Sequence, residues 1–528
     1  MLLASIIIVH WNTPKTLYRQ LELFSKFSEI EIIVISNSAL NELTFKIVDY
    51  PKIKFIQNHE NKGYAFACNQ GINIAKSEWV YFLNPDIHIT EQPLREWLSE
   101  TINKSYVASS LLPSRSSYLK PVPSFLSLLV EFTPLKYLVP LSVFYEKTLI
   151  GGALLIKKSI IVDMGGWDER FFIWFEDSDL TKRLILKRYK IGFINVKHSH
   201  LGGESFESMS EKLQKDVFFH SMNVYANKHF GFLGKLITRL LRRRYSSAEL
   251  LPIFNVGLSI TIPNIKKDIL DKFLEVNKIE LNKYCEVIIV SNSLNPEDIW
   301  DYRRKYPKIR FILIDFNYGF SHTVNIGFNV SSTPWIGTVN DDVTLSENWA
   351  ANCINCNNNL IGSVNPVIYS KNGDVESAGI SILKFGKASP NVRHKTENLC
   401  DKVDATNAAA VIYSQLALNR IGLFDERFHS YLEDIDISLR LNRAGYLNLV
   451  SYKSSVIHLG RATSLEVLKN KKKIYDFRNW IYIICKNWSL HDIVIYFPQI
   501  LIERIRNLSG LLKSFHTRKN REYHNVTS

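Results

Sequence analysis

The chain has 528 residues, 46% of them hydrophobic and 22% charged, a balance that excludes collagenous, low-complexity and largely disordered proteins. Its length exceeds one ordinary core, so about two to four domains are expected. The net charge of +14 asks for an anionic partner and divides evenly, since residues 1–256 carry 31 basic and 24 acidic groups and the remainder 34 and 27.

The first nine residues, Met1 to Val9, lack a basic leader and run straight into His10-Trp11-Asn12. They read as a buried strand and not as a signal peptide. A helix is expected over Thr16–Phe27, then strands at Ile32–Ile35 and Ile53–Ile56, a helix over Ala65–Ala75 and a strand at Trp79–Leu83. Apolar strands alternating with helices predict a doubly wound, mostly parallel sheet. Ligands then bind beyond the carboxyl ends of the strands, where Asn12, Ser36, Asn84 and Asp86 fall. The most apolar long stretch, Val122 to Tyr145, is interrupted by Glu131, Lys136, Pro123, Pro134 and Pro140. It falls short of the roughly 18–20 clean apolar residues of a spanning helix. Basic, aromatic-rich helical extensions are expected over 208–247 and 465–528, with a linker around Ser246 to Asn255.

Six cysteines in a chain of this length do not make a disulfide scaffold. Cys353-Ile-Asn-Cys356 has the spacing of a zinc knuckle or a redox pair, but no second pair follows and only Cys400 lies within reach. Reduced thiols in a reducing compartment are expected, and with them a cytoplasmic location.

The chain repeats itself. Ser36-Asn37-Ser38 returns as Ser291-Asn292-Ser293, and Asn61-Lys-Gly63 as Asn317-Tyr-Gly319. Asn84-Pro-Asp86 returns as Asn340-Asp-Asp342, and Asp168-Glu-Arg-Phe171 as Asp425-Glu-Arg-Phe428. Glu176-Asp177-Ser-Asp179 returns as Glu433-Asp434-Ile-Asp436, His200-Leu-Gly202 as His458-Leu-Gly460, and Asn223 finds Asn479. Offsets confined to 255–258 predict a tandem duplication of a whole domain. The expected division is 1–247 for a first domain with its extension, 256–464 for a second, and 465–528 for a C-terminal amphipathic extension.

Asp86 and Asp342, each after a buried strand, are hard oxygen ligands suited to Mg2+ or Mn2+ carrying diphosphate oxygens. Asn-Pro-Asp alone would read as a turn, and its recurrence favours the ligand. The acids Glu176, Asp177 and Asp179 follow the aromatic run Phe171 to Phe175. A helix dipole accounts for part of such a cluster, and a carboxylate against aromatic walls also suits a general base. Neutral imidazole from His200 or His458 could complete a metal site begun by a carboxylate. The glycines after Asn61 and Asn317 match neither G-x-G-x-x-G nor a Walker loop. A helix opening there could still hold a donor group by its N–H groups.

In this order, twice over, the motifs resemble those of the family-2 glycosyltransferases, especially the bacterial rhamnosyltransferase-like branch. The resemblance implies two tandem GT-A domains, Rossmann-like α/β folds, with a nucleotide-diphosphate sugar donor, a divalent metal (Mn or Mg) and inversion at the anomeric carbon. Carried residue by residue, it makes Asp86, His200, Asp342 and His458 the metal-side contacts. Asp177 and Asp434 become the bases that deprotonate an acceptor hydroxyl, with Glu176 and Glu433 beside them. Asn12, Ser36, Asn37, Asn61, Gly63 and Asn84 line one donor pocket; Ser291, Asn292, Asn317, Gly319 and Asn340 line the other. The family usually has Asp where this chain has Ser36 and Ser291, which leaves the nucleobase open, and the second unit lacks the His10-Trp11 pair.

The expected function is therefore a two-site transferase adding sugars to a lipid-linked or polysaccharide acceptor, as in O-antigen or capsule synthesis. The alternative is one catalytic unit with a carbohydrate-binding or structural copy. Leucines mixed with cations, as in Lys235 to Arg244 and Ile500 to Lys519, predict contact with an anionic membrane, peripheral on the cytoplasmic face of the inner membrane. Nucleic acid ranks last, because no recognition motif accompanies the charge.

Overall fold

The aliphatic run at the start of the chain forms a strand, Ala4–His10, buried along nearly its whole length. This is seen in a computed structural model, which describes residues 3–27, 29–38, 50, 53–112, 119–140, 144–200, 209–245, 250–356, 360–392, 399–460 and 469–524. Two compact units divide the chain. The first takes Met1–Asn255 together with Asn295–Ile312, and the second takes Val256–Leu294 and Leu313–Ser528.

In the first unit the strands are β1 (Ala4–His10), β2 (Ile30–Ser36), β3 (Lys54–Gln57), β4 (Trp79–Leu83), β5 (Ile87–His88), β6 (Ala108–Leu111), β7 (Ala153–Lys157), β8 (Ile191–Ile194) and β9 (Ser199–His200). The main sheet runs β3-β2-β1-β4-β7-β6-β8. It is parallel from β3 to β4 and turns antiparallel at β7; β8 then returns parallel to β6. Side chains alternate across it. Ile6, Ile8 and Val34 face one layer with Leu17, Leu21 and Trp97, while Ile7, Ile33 and Ile35 face the other with Ile72, Phe82 and Trp167. Burial of each such side chain stabilises by roughly 1.5–3 kcal/mol, and two covered faces explain why the strands read as unbroken apolar runs. The helix Pro14–Phe24 starts with proline at its first turn and buries Leu17, Leu21 and Phe24 at helical spacing.

The second unit has β10 (Leu258–Asn264), β11 (Glu286–Ser291), β13 (Trp335–Val339), β14 (Val343–Leu345), β15 (Ile361–Ser370), β16 (Val375–Ser377), β17 (Ile380–Leu383), β18 (Lys387–Pro390), β19 (Cys400–Val403), β20 (Ala410–Ser414) and β21 (Leu447–His458), while β12 (Ile309–Leu313) belongs, but for its last residue, to the first. Inward from β11 its sheet runs β11-β10-β13-β20-β15-β21-β14. The β10–β11 and β10–β13 pairs are parallel and β13–β20 is antiparallel.

Each extension is a helical pair. The helix Glu211–Tyr245 breaks at Gly231, whose φ of 54° is not helical. Beyond the break Ile237 and Leu241 pack against Phe219, Tyr225 and Ala226 of the first arm. In the second unit Lys469–Asn487 is followed by Leu490–His524. No helix among the described residues is long and apolar enough to cross a membrane.

The cysteines depart from expectation. Cys356 and Cys400 form a disulfide with a Cα–Cα distance of 6.0 Å, while Cys68, Cys285, Cys353 and Cys485 are free thiols. The C-x-x-C spacing misleads because Cys353 points into the core from the helix Trp349–Ile354, whereas Cys356 lies past the end of that helix, beside the start of β19.

Gly63 and Gly319 have φ near 90°, and a Cβ on either would meet a backbone carbonyl at 2.5 Å, that of Phe172 or His429. Gly373 has φ +86° but open space around it. Gly63→Ala should therefore cost about 2 kcal/mol or more, against a purely conformational cost of about 1 kcal/mol for Gly373→Ala. Urea denaturation curves of the two variants check the difference.

Candidate active site

The three acids of each cluster open a helix, Glu176–Leu186 in the first unit and Glu433–Arg443 in the second. Two consecutive left-handed residues precede each helix, Trp174 and Phe175 at φ 67° and 65°, and Tyr431 and Leu432 at φ 70° and 67°. Bulky residues adopt this conformation only at a cost, so the surrounding structure holds them there. The holding groups come from the extensions. Ser221 donates to the Ile173 carbonyl at 2.6 Å. Asn479 donates to the carbonyls of Phe428, Ser430 and Tyr431 at 2.7–3.0 Å. The group doing the work of Asn479 in the first unit is thus Ser221, and Asn223 instead bonds Asn227.

The three acids divide their labour. Asp179 and Asp436 are fully buried in ion clusters. Asp179 meets Arg183 at 2.8 Å, Lys228 at 2.5 Å and His229 at 2.8 Å; Lys228 also reaches Asp168. Asp436 meets Arg440 at 2.8 Å, Lys486 at 2.9 Å and Asn487 at 3.1 Å, and Lys486 also reaches Asp425. Although burial opposes ionisation, the Lys228 and Arg183 charges hold Asp179 well below the usual carboxylate range. The other two acids are shifted the opposite way. Burial, with the charge of Asp177 beside it, pushes Glu176 up to about 8, and burial also raises Asp177. In the second unit Glu433 is raised well above its usual value and Asp434 to about 6, burial again leading. Asp177 and Asp434 are partly exposed, while Glu176 and Glu433 are buried.

Each partly exposed acid is linked to the strand-end motif through two consecutive residues of a third segment. Asp177 faces the Gly151 N–H at 3.5 Å, and the next carbonyl, Gly152, accepts from the Asn84 N–H at 2.8 Å. In the second unit Asp434 faces the Ala408 N–H at 3.5 Å, and the Ala409 carbonyl accepts from Asn340 N–H at 2.9 Å. Two residues further along, β5 pairs Ile87 with His200, and β14 pairs Val343 with His458. The register thus sets Asp86 beside His200 along the chain, and Asp342 beside His458. His458 Nε2 lies 3.4 Å from Asp342 Oδ1, and its Nδ1 lies 3.0 Å from Glu376. Hydrogen bonds to these two carboxylates, against burial, push His458 up to about 10. The His200 side chain and Gly202 lie outside the described residues.

The donor-side residues gather at the ends of the first two strands. His10 is buried, which lowers it to about 4, and its Nε2 accepts from Thr13 N–H at 3.0 Å. Its other nitrogen meets Ser38 Oγ, which also accepts from Asn12 N–H at 2.7 Å. Asn264 ends β10 as His10 ends β1, and accepts from Ser291 and Ser293 while donating to Asp341 at 2.8 Å. Burial chiefly raises Asp341 to about 7. Ser36 and Ser291 are buried at the strand ends, and the Ser291 hydroxyl donates inward. Asn37 donates to the Gly63 carbonyl at 3.3 Å, which joins the second-strand motif to the Asn-x-Gly turn. Asn61 and Asn317 each accept from the N–H of the glycine two residues on, at 2.9 and 3.0 Å. The first N–H of the following helix, at Tyr64, goes to the Phe172 carbonyl. Asn292 lies partly exposed after β11.

Sequence reasoning missed Lys228, Lys486, Glu376 and Asp341. For the lysines a signal existed, since Lys228-His-Phe230 and Lys486-Asn-Trp488 share the offset of the histidines. Glu376 and Asp341 carry no such signal.

The sequence pattern described as "Glycosyl transferase family 2" matches residues 5–115 and 259–411, together half of the chain. The chain belongs to glycosyl transferase family 2. It is 25% identical over 202 residues to the low-salt glycan biosynthesis hexosyltransferase Agl10 of Haloferax volcanii, spanning 36% of this chain and 64% of that protein. It is 27% identical over 179 residues to the poly-beta-1,6-N-acetyl-D-glucosamine synthase of Staphylococcus aureus, spanning 32% of this chain and 42% of that protein. The chain therefore covers less than two thirds of the length of either curated relative. Among solved structures, GalNAc-T7 with UDP, GalNAc and Mn2+ aligns over 50% of this chain and 54% of its own at 14% identity and TM-score 0.39. The mannosyltransferase PcManGT of Pyrobaculum calidifontis, in complex with GDP-Man and Mn2+, aligns over 57% and 87% at 12% identity and TM-score 0.35. The family's GT-A-like α/β fold, with mixed and mostly parallel sheets, accounts for both sheets.

Lys228→Met should cost about 3 kcal/mol near neutral pH, because two buried carboxylates lose their shared cation. Asp168 and Asp179 are both depressed, so their stabilising effect is present above the unfolded carboxylate pKa and is lost as pH falls through the folded values. The penalty of the variant should shrink in acid, and urea melts from neutral pH downward measure it.

Proposed function

We propose that this glycosyltransferase is a tandem duplication with two inverting, metal-dependent active sites, close to the rhamnosyltransferase-like branch. The domains would be 1–247 and 256–464, with a C-terminal extension over 465–528. The observation that carries the reading is the same arrangement in both units: a raised Asp at a helix start and the Asn of an Asn-x-Asp strand end bond to two consecutive residues, Gly151-Gly152 or Ala408-Ala409. The donors would be nucleotide-diphosphate sugars, as the names of the similar solved structures suggest for those proteins. The acceptor would be a lipid-linked or polysaccharide glycan of O-antigen or capsule type.

In this mechanism Asp177 and Asp434 accept the proton of the acceptor hydroxyl as its oxygen attacks the anomeric carbon and the bond to diphosphate breaks. A base of this kind contributes roughly 10²–10⁴-fold. Glu176, raised to about 8, stays protonated at neutral pH and leaves the pair with one charge, so Asp177 can ionise beside it. The same holds for Glu433 and Asp434. Asn84 and Asn340, anchored through their backbone to the residue beside the base, fix the distance between donor and acceptor sides. Asn12, Asn37, Asn61 with Gly63, and Asn292, Asn317 with Gly319, would line the nucleotide pockets, with Ser36 and Ser291 shaping the strand ends behind them.

A divalent cation fits the second unit. Asp342 Oδ1 and His458 Nε2 are 3.4 Å apart, near the ~3 Å between adjacent ligands of an octahedral ion. Asp342 and His458 would hold it, and Asp86 with His200 its counterpart. When bound, Mn2+ or Mg2+ would offset the charge that develops on the departing diphosphate.

The alternative, one catalytic unit beside a carbohydrate-binding copy, draws support from the differences between units. Asp341 stands where the first unit has Pro85, and Ala408-Ala409 where it has Gly151-Gly152. Asp177→Asn and Asp434→Asn, assayed separately for sugar transfer, decide between them. Each should lower one linkage by about 10²–10⁴-fold; an effect from only one variant would leave a single catalytic unit. With the first site disabled by Asp177→Asn, kcat/KM should fall as pH drops through about 6, because Asp434 is the base only when ionised.

We also infer a peripheral membrane location on the cytoplasmic face. Phe232 and Leu490, just past the bends of the two helical pairs, are 80% and 83% exposed. Leu233, Leu236 and Leu240 continue the first apolar face; Val494, Phe497 and Leu501 continue the second. Basic residues interleave with them, as an anionic interface requires. The disulfide removes the thiol argument for a reducing compartment, so this location rests on the helices alone. Phe232→Glu with Leu490→Glu should abolish flotation with phosphatidylglycerol vesicles, and flotation unchanged by the pair would refute it.

A further inference from the structure

We propose that Glu376 is a positioning residue that fixes which nitrogen His458 presents to the cation side of the second site. The inference rests on the reading that Asp342 and His458 hold a divalent cation, and it adds a residue that no sequence motif singled out. Both carboxylate oxygens of Glu376 lie within hydrogen-bond distance of His458 Nδ1, at 3.0 and 3.1 Å. A carboxylate at this position accepts, so Nδ1 must carry the proton. Nε2 is then the nitrogen left to ligate once a cation displaces its proton, and it is the one facing Asp342. The ring is spanned by two acids with separate tasks: Asp342 on the ligand side, Glu376 on the far side.

The backbone around Glu376 is built to hold it there. β16 pairs with the last residues of β15, Ile368 opposite Ser377 and Tyr369 opposite Val375, so Glu376 is the extra residue of a β-bulge between the two pairs. A tight turn joins the two strands, with Ser370 N–H donating to the Asp374 carbonyl at 2.8 Å and Gly373 at φ +86°. On the other side Ala378 N–H donates to the Asn391 carbonyl at 2.7 Å, and Asn391 N–H to the Gly379 carbonyl at 2.9 Å. β15 runs parallel to β21 with Ser370 opposite His458, which aligns the hairpin with the imidazole. A bulge flanked by paired residues aims the side chain it carries, and such carboxylate–histidine contacts govern ligand orientation at metal sites.

The test uses the full chain carrying Asp86→Ala, so that cation binding reports on the second unit, with Mn2+ alone as the probe and free Mn2+ followed by electron paramagnetic resonance. Glu376→Ala should weaken Mn2+ binding about 10- to 100-fold. Glu376→Gln, whose amide oxygen can still accept from Nδ1–H, should recover most of that loss. His458→Ala and Asp342→Ala serve as the controls for the cation reading. If both controls lose Mn2+ while Glu376→Ala binds it like the parent, the role of Glu376 is overturned and the cation site stands. If both controls bind Mn2+ like the parent, the cation reading of this unit fails, and the role of Glu376 fails with it.

Discussion

The acid helices depend on one kind of contact, a buried carboxylate tied to a lysine from a distant helix. Asp179 and Asp436 have no exposure, and each is held by an arginine one turn along and by a lysine from the extension. Charges so deeply placed persist only when paired, and losing one partner strands the other. The third acid of each cluster therefore fixes where the helix starts. The first two acids are instead raised, burial being the largest cause for each. A single row of carboxylates thus contains groups pushed in opposite directions, which is how acid–base roles are separated in a small volume.

The same lysines sit on helices that carry a second duty. Ser221 donates to the Ile173 carbonyl just before one left-handed pair, and Asn479 to the Tyr431 carbonyl within the other. Strain at Trp174-Phe175 and Tyr431-Leu432 is sustained because these polar groups would otherwise face an apolar wall. Both extensions then bend within three residues of the lysine and turn exposed apolar residues outward. Whatever binds that outward face bears on a helix already bonded to the acid cluster.

The units differ where a donor would lie. His10 in one and Asn264 in the other occupy the end of the first strand, and each bonds a serine hydroxyl, Ser38 or Ser291, through one of its polar atoms. Asp341 adds a buried acid behind Asp342, at a position where proline stands in the first unit. Glycine against alanine beside Asn84 and Asn340 changes the room at the seam between donor and acceptor sides. A Cβ on Gly152 would reach the Asn84 amide, so the alanine of the second unit must be met by a different placement of Asn340.

Sequence alone determined the strands, because apolar runs buried on two faces leave an unmistakable pattern, and the start of Trp79–Leu83 is legible to the residue. It also determined which acids matter as a group, through their repetition. It did not determine the division of labour among those acids, since Asp177 and Asp179 are chemically identical and the partners that distinguish Asp179 include Lys228, which arrives from 49 residues away. The disulfide was illegible for a related reason: spacing favours Cys353 with Cys356, whereas Cα proximity in three dimensions joins Cys356 to Cys400. Glu376 left no trace in composition or motif. Its meaning comes from strand pairing that sets Ser370 opposite His458, a register decided by hydrogen bonds between segments some 90 residues apart. Local pattern fixes what each segment becomes, while long-range packing and charge pairing decide which of its side chains can do chemistry.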